Sequence, residues 1–394
     1  MLEASLDDVY ARIAAREPEV GAWQYLPDQR PEAIADGPLA GVPIGVKDNF
    51  DTYDMPTERG ALIYKGRRPD RDAWLVAKLR DLGAVIAGKT VTAEFAYFKP
   101  GKTRNPHDPA RTPGGSSSGS AAAVGSGMVP AAIGSQTAGS TTRPASFCGC
   151  AGLAVSHGTL PGDGLAPLAP SLDTPGLFTL DVADLKRLFT AITGRTAPPR
   201  SVDELRLLTL DGTEYATVEA EMLTALDGLR GALTDAGAVL EDLRLSDTQR
   251  RLADDQTTVM ACEAAEALAF LDDHRSEVSE QILALIDEGR QTSEAHYRAV
   301  RERRPAHREE MLATLAGYDA ILLPATPGPA PADLTSTGNP ILSRPWHLLG
   351  MPVVALPGYR TNDGLPLGMQ LVGTPGTDET LLETAAAVAT VMPH

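Results

Sequence analysis

Apolar residues recur at helical spacing in several stretches of this chain, and each stretch runs into a short apolar segment of strand type. In residues 72–83 (DAWLVAKLRDLG) Trp74, Leu75, Leu79 and Leu82 share one helical face and Gly83 supplies a stop. The run 84–87 (AVIA) that follows reads as a short buried strand. The same order recurs at 182–194 followed by 205–210, and at 219–236 followed by 239–245. Alternation of this kind predicts a mixed, largely parallel α/β sheet.

Two regions depart from that rhythm. Residues 1–36 are acidic and modestly amphipathic, a helical lead-in. Residues 247–317 are almost free of glycine and proline and rich in Ala, Glu, Leu and Arg, so they predict two or three long helices. Such a segment serves as a lid, an oligomer surface or a helical layer on the sheet. Strand patterns return at 320–324, 352–356 and 368–372, and a closing helix is predicted over 378–391. Without internal repeats or linkers, residues 1–394 read as a single domain.

Composition narrows the function. The chain has 394 residues, 35 basic against 52 acidic side chains, and a formal net charge of −17. With 43% hydrophobic residues it can bury a sizeable core. Phosphate neutralisation needs clustered Lys and Arg, so nucleic acid is not expected as the main ligand. Three cysteines, Cys148, Cys150 and Cys262, make no disulfide framework and suit a reducing compartment. The first ten residues lack a basic stretch followed by an apolar run, and no window approaches the ~18 apolar residues of a membrane span. The expectation is a soluble, cytoplasmic protein with no membrane partner.

Two short motifs mislead. GAVIAGKT at 83–90 fits the phosphate-loop expression letter for letter. A phosphate loop follows a strand and opens a helix, whereas here the helix comes first and 84–87 is the strand. GSSSG at 115–119 fits the nucleophile elbow of α/β-hydrolases, with Ser117 as nucleophile. That reading needs a downstream acid and histidine, yet His157, His274, His296, His307, His347 and His394 lie in no setting that marks a base. His107 has no partner at metal-ligand spacing, and Cys148-Gly-Cys150 is too short and isolated for a zinc site, so packing is the expected role.

The unusual text is PGGSSSGSAAAV at 113–124 followed by GSQTAGSTTRPASFCG at 134–149. Clustered glycines and serines permit close approach, and their exposed N–H groups form a nest for developing negative charge. A flexible linker has the same composition, but apolar runs at 121–124 and 128–133 flank these residues and suit burial.

These segments resemble the signature of the amidase signature family of serine hydrolases. GVPIGVKDN at 41–49 resembles the family's lysine segment, and echoes occur at 88–90, 104–106, 171–176, 351–357 and 364–373. The similarity spans almost the whole chain, with 190–318 the least diagnostic part. It implies the amidase signature fold, an α/β architecture with a large mixed, mostly parallel twisted β-sheet covered by helices on both faces. It also implies a Ser–Ser–Lys triad: Ser140 as nucleophile, Ser116 as bridging serine after a cis Gly115–Ser116 peptide, and Lys47 as base. The N–H groups of Thr137, Ala138, Gly139 and Ser140 would form the oxyanion hole, and no metal or organic cofactor is called for. A lysine can act as base only when neutral, so its pKa near 10.4 has to fall by roughly three units, about 4 kcal/mol. Asp48 would oppose that, but consecutive side chains of an extended segment point to opposite faces.

Around the nucleophile the commoner family form is D-T-G-G-S, then isoleucine and arginine. Here it is QTAGSTTRP at 136–144, which resembles a malonamidase-like subgroup and puts Arg143 three residues after Ser140. A guanidinium so placed either grips a substrate carboxylate or bonds internally to backbone or an acid. The chain also shows VSHG at 155–158 where relatives carry Lys-Pro-Thr/Ser, and it is shorter than most of them. The resemblance implies an amidohydrolase that cleaves a linear carboxamide C–N bond through an acyl-enzyme, on a small-molecule amide. Its alternatives are the ammonia-releasing chain of an amidotransferase, which works on glutamine, or a noncatalytic chain on the same fold. A homodimer is the family-level expectation for assembly.

Overall fold

The computed structural model describes residues 2, 4–31 and 36–393, so His394 and part of the lead-in lie outside the described residues. Eleven strands form one sheet: β1 (Trp23–Tyr25), β2 (Pro43–Lys47), β3 (Val85–Thr90), β4 (Ala131–Gln136), β5 (Ala151–Ala154) and β6 (Thr174–Thr179), then β7 (Arg206–Thr209), β8 (Val239–Asp242), β9 (Ala320–Pro324), β10 (Val353–Arg360) and β11 (Pro366–Val372). Their spatial order is β1-β3-β2-β4-β6-β5-β10-β11-β9-β7-β8. The sheet is mixed, as expected, but parallel pairing is the smaller share. It is confined to β3-β2-β4 on one flank and β9-β7-β8 on the other, while β6, β5, β10, β11 and β9 pair antiparallel. Parallel neighbours need a long crossover, and β10 and β11 are joined by too short a turn to supply one.

Helices cover both faces. Along β9, Ala320 and Leu322 enter one core while Ile321 and Leu323 enter the other, the period-2 alternation of a doubly covered strand. The first core takes helices Trp74–Asp81, Val182–Thr193, Ala220–Asp235 and Asp378–Ala389. Residues 247–317 form helices Leu252–Ala267, Glu280–Gln291 and Glu294–Thr314, and their Val259, Met260, Ile282, Leu285, Val300 and Met311 pack on the second face. Of the roles open to that segment, the helical layer is the one the structure shows. In the lead-in, helix Leu6–Val20 starts at Ser5, whose hydroxyl accepts the Asp8 N–H, and stops at the left-handed Gly21. Among the described residues no helix is long and apolar enough to cross a membrane.

For the site, the decisive feature is β2. It lies between β3 and β4, so all five of its residues, Lys47 included, are buried.

Candidate active site

Lys47 ends β2 with its amine wholly out of water. Nζ donates to Ser116 Oγ at 2.8 Å and to Ser135 Oγ at 2.9 Å, and Ser135 Oγ also accepts from Asn49 Nδ2 at 2.9 Å. Burial pushes the Lys47 pKa well below that of a free lysine; the Asp173 carboxylate acts in the opposite direction and the Arg143 charge reinforces the depression. Asp48 does not face this amine. Its Oδ1 is 3.2 Å from Lys89 Nζ and its Oδ2 accepts the Glu58 N–H. Lys89 in turn donates to Thr57 Oγ1 and to the Phe50 carbonyl. The lysine of the phosphate-loop lookalike is therefore spent inside the protein, within a strand.

Ser116 follows a cis peptide bond from Gly115 and is almost fully buried. Ser117, the lookalike nucleophile, donates its hydroxyl to the Ser135 carbonyl at 3.1 Å and accepts the Ser135 N–H at 3.3 Å, which ties it to β4. Helix Ser118–Gly125 begins next and lies hard against the strand edge. A Cβ on Gly119 would stand 2.3 Å from both the Ala22 carbonyl oxygen and the Val91 nitrogen, so only glycine fits.

Ser140 lies in the turn between β4 and helix Thr142–Cys148. The N–H groups of Thr137, Ala138, Gly139 and Ser140 donate to nothing among the described residues. That turn is clamped at both ends. Gln136 Oε1 accepts the Thr141 N–H at 2.9 Å and the Thr142 N–H at 3.2 Å. His347 Nε2 lies 2.6 Å from the Leu172 carbonyl, so that nitrogen carries the proton and Nδ1 accepts from Gln136 Nε2 at 3.4 Å. Burial holds the His347 pKa down to about 4, which keeps the ring neutral. At the other end Thr137 Oγ1 donates to Asp173 Oδ1 at 2.6 Å, and Gln256 Nε2 donates to the Thr137 carbonyl at 2.9 Å. Asp173 also accepts the N–H groups of Leu168 and Ala169, and burial pushes its carboxyl up to about 6.

A pocket of about 270 Å³, mouth included, opens on this turn and is lined by Ser140, Thr137, Ala138 and Arg143 with Tyr97, Phe98 and Met260. Arg143 is 2% exposed. Its Nη2 donates to the Gly115 carbonyl at 2.5 Å and to Thr337 Oγ1 at 3.1 Å, and its guanidinium sits 5.6 Å from the Phe98 ring centre. Nε and Nη1 are buried and have no hydrogen-bond partner among the described residues. Burial, followed by the charge of Arg344, lowers the Arg143 pKa to about 9, which still leaves it cationic at neutral pH.

The structure therefore joins Lys47 to Ser116 directly and puts Ser140, Thr137, Ala138 and Arg143 on one pocket, with Gly139 packed against Pro340 behind them. Ser140 Oγ makes no hydrogen bond among the described residues, to Ser116 or to any other group. Ser135, Asn49, Asp173, Gln256 and His347 were missed as site residues. Asn49 and Asp173 lie inside segments that carry the resemblance, whereas nothing local marks Gln256 or His347. His107 Nε2 is 2.9 Å from the Cys148 carbonyl, and all three cysteines are free. Among the described residues no group of three or more His, Cys, Asp or Glu gathers to hold a metal ion.

Comparison with known proteins matches residues 22–382 to the family described as Amidase. The A chain of the glutamyl-tRNA(Gln) amidotransferase of Symbiobacterium thermophilum is 32% identical over 98% of this chain and 93% of its own length. The alignment runs over 458 positions against a chain of 394 residues, so this chain is shorter by tens of residues. Among solved structures, one described as an amidase superposes with a TM-score of 0.88 at 29% identity, covering 98% of this chain and 95% of that one. The corresponding chain of the Thermotoga maritima glutamyl-tRNA(Gln) amidotransferase superposes with a TM-score of 0.87 at 27% identity, covering 100% and 94%.

Proposed function

The chain belongs to the amidase family, whose members cleave amides, and from that premise we propose that it hydrolyses a small linear carboxamide carrying a carboxylate. The observation that supports this is Arg143: a buried guanidinium with two unpartnered nitrogens on the pocket that holds Ser140. An unpaired buried charge is costly, and a substrate carboxylate oxygen accepting a single hydrogen bond from Nη1 or Nε offsets it, Nη2 being already engaged by Gly115 and Thr337.

In the proposed reaction the hydroxyl of Ser140 attacks the amide carbon while its proton passes to Ser116 Oγ, whose own proton passes to the neutral Lys47 amine. An O–C bond forms, and the charge that builds on the carbonyl oxygen is taken by the free N–H groups of residues 137–140, each such donor being worth roughly 3–4 kcal/mol. The relay runs back to protonate the leaving nitrogen, the C–N bond breaks, and ammonia or an amine departs. Water then attacks the acyl-enzyme by the same route and releases the acid. The Ser140–Ser116 hydrogen bond forms with substrate bound, since catalytic hydrogen bonds commonly tighten only in that complex. We place the enzyme in the cytoplasm, where its free thiols stay unpaired, as a homodimer of 41.5 kDa chains that light scattering would weigh.

The relatives favour a second reading, the ammonia-releasing chain of an amidotransferase, with glutamine as its substrate. Glutamine carries a carboxylate for Arg143 but also an α-ammonium, and the Ser140 pocket has no acidic side chain in its lining to meet it. The test is ammonia release from a panel of neutral amides, acid-amides such as succinamate, biuret-like compounds and glutamine, with Ser140→Ala as the blank. Succinamate is expected to lead, and Arg143→Leu to cost it about a hundredfold, or about 3 kcal/mol, while a neutral amide such as propionamide loses far less. Equal losses for both would end the carboxylate reading, and preference for glutamine together with a co-purifying partner protein would favour the second.

A further inference from the structure

Ala96, which lines the Ser140 pocket, also lines a second and larger one of about 420 Å³. Three independent features converge there. Asn49 is 1% exposed; its Nδ2 is used on Ser135, and its Oδ1 has no hydrogen-bond partner among the described residues. Arg59, on the same wall, has a buried unpartnered Nε and lies with its guanidinium 4.6 Å from the centre of the Tyr64 ring. The backbone adds the second feature. Among the described residues only three that are not glycine have a left-handed backbone, Arg59 at φ 56°, Phe95 at 49° and Ala96 at 60°, and all three line this pocket. Such conformations are strained for residues with a Cβ and collect at ligand clamps. The third feature is aromatic: the rings of Tyr64, Phe95 and Phe270 lie 6.1–6.4 Å apart, and Phe270 is partly exposed at the rim.

We propose that this pocket is a second binding site, for an uncharged planar molecule that carries an N–H and a C=O side by side: a carboxamide or a urea. The ligand N–H donates to Asn49 Oδ1, its carbonyl accepts from Arg59 Nε, and its apolar body lies against Phe95 and Phe270. A carboxylate would meet Arg59 but set its second oxygen against the Asn49 oxygen, and an ammonium would meet the Asn49 oxygen but face Arg59, so only a neighbouring N–H and C=O satisfies both groups. Because Asn49 and Lys47 share Ser135 Oγ as acceptor, the occupant sits at the end of a hydrogen-bond chain that leads to the Lys47 amine. Binding itself does not depend on the catalytic reading; only the coupling to Lys47 rests on it.

Calorimetric titration of the Ser140→Ala chain with benzamide tests the site, and benzoate serves as the charged comparison. Benzamide is expected to bind at least tenfold more tightly than benzoate. Ala267→Trp, which fills the pocket, and Arg59→Asn, which removes the Nε donor yet tolerates left-handed backbone, are each expected to weaken benzamide binding at least tenfold; Arg143→Leu is expected to leave it unchanged. Thermal unfolding reports whether each variant is folded, and Arg59→Asn decides should Ala267→Trp fail to fold. No binding of benzamide, binding untouched by Arg59→Asn, or binding lost with Arg143→Leu would overturn the proposal. Failure of the catalytic reading shows separately, as ammonia release that survives Ser140→Ala.

Discussion

Lys47 differs from an ordinary lysine in a sheet in pairing with no carboxylate among the described residues: burial drives its amine toward neutrality while Asp173 resists. The balance predicts a pH effect with a definite sign. A base that must be neutral makes kcat/KM rise with pH through its pKa. Removing the Asp173 charge removes the influence that raises the Lys47 pKa, so Asp173→Asn is expected to move the acid limb of the pH–rate profile to lower pH. A limb that stays in place or moves upward would show that Lys47 does not carry it. At this scale the sequence was partly legible. The isolation of Lys47 from Asp48 follows from the alternation of an extended segment. That the Asp173 charge acts on Lys47 does not follow, because it depends on β6 pairing with β4.

Among the elements, helix Ser118–Gly125 shows how close packing outweighs local preference. Replacing a helical glycine by alanine gains roughly 1 kcal/mol from propensity alone. At Gly119 the new methyl meets two backbone atoms at 2.3 Å that cannot swing aside. Overpacking costs about 1–3 kcal/mol, occasionally more, so Gly119→Ala is expected to destabilise by up to about 2 kcal/mol net in denaturant unfolding, against a gain if the helix stood free. The turn that carries Ser140 is held in the same non-local way, by the segment ahead of β6 through Asp173 and through Leu172 and His347. Helix and strand positions were legible because spacing is local: the strand expected at 84–87 appears as Val85–Thr90, and the helix expected at 182–194 as Val182–Thr193. The share of parallel pairing was not, because helix-then-strand order does not say which strand becomes the neighbour.

Across the whole molecule one sheet links the two parallel flanks through antiparallel β6, β5, β10, β11 and β9, with one core on one face and two on the other. We propose that the chain unfolds as a single unit, since the cores on both faces draw on the same strands. Calorimetry is expected to give one transition with van't Hoff and calorimetric enthalpies in agreement; two resolved transitions would divide the chain into domains.

Residue order alone settled which segments coil or extend, and it carried the family signature in two glycine- and serine-bearing motifs. Both are matters of short-range spacing and of side chains small enough to let backbones meet. Which polar atoms stay unpartnered was decided only in three dimensions: Nε and Nη1 of Arg143, Oδ1 of Asn49 and Nε of Arg59 are orphaned by neighbours far away in the chain. Whether a buried charge finds its complement depends on every strand and helix around it, and no local pattern records that.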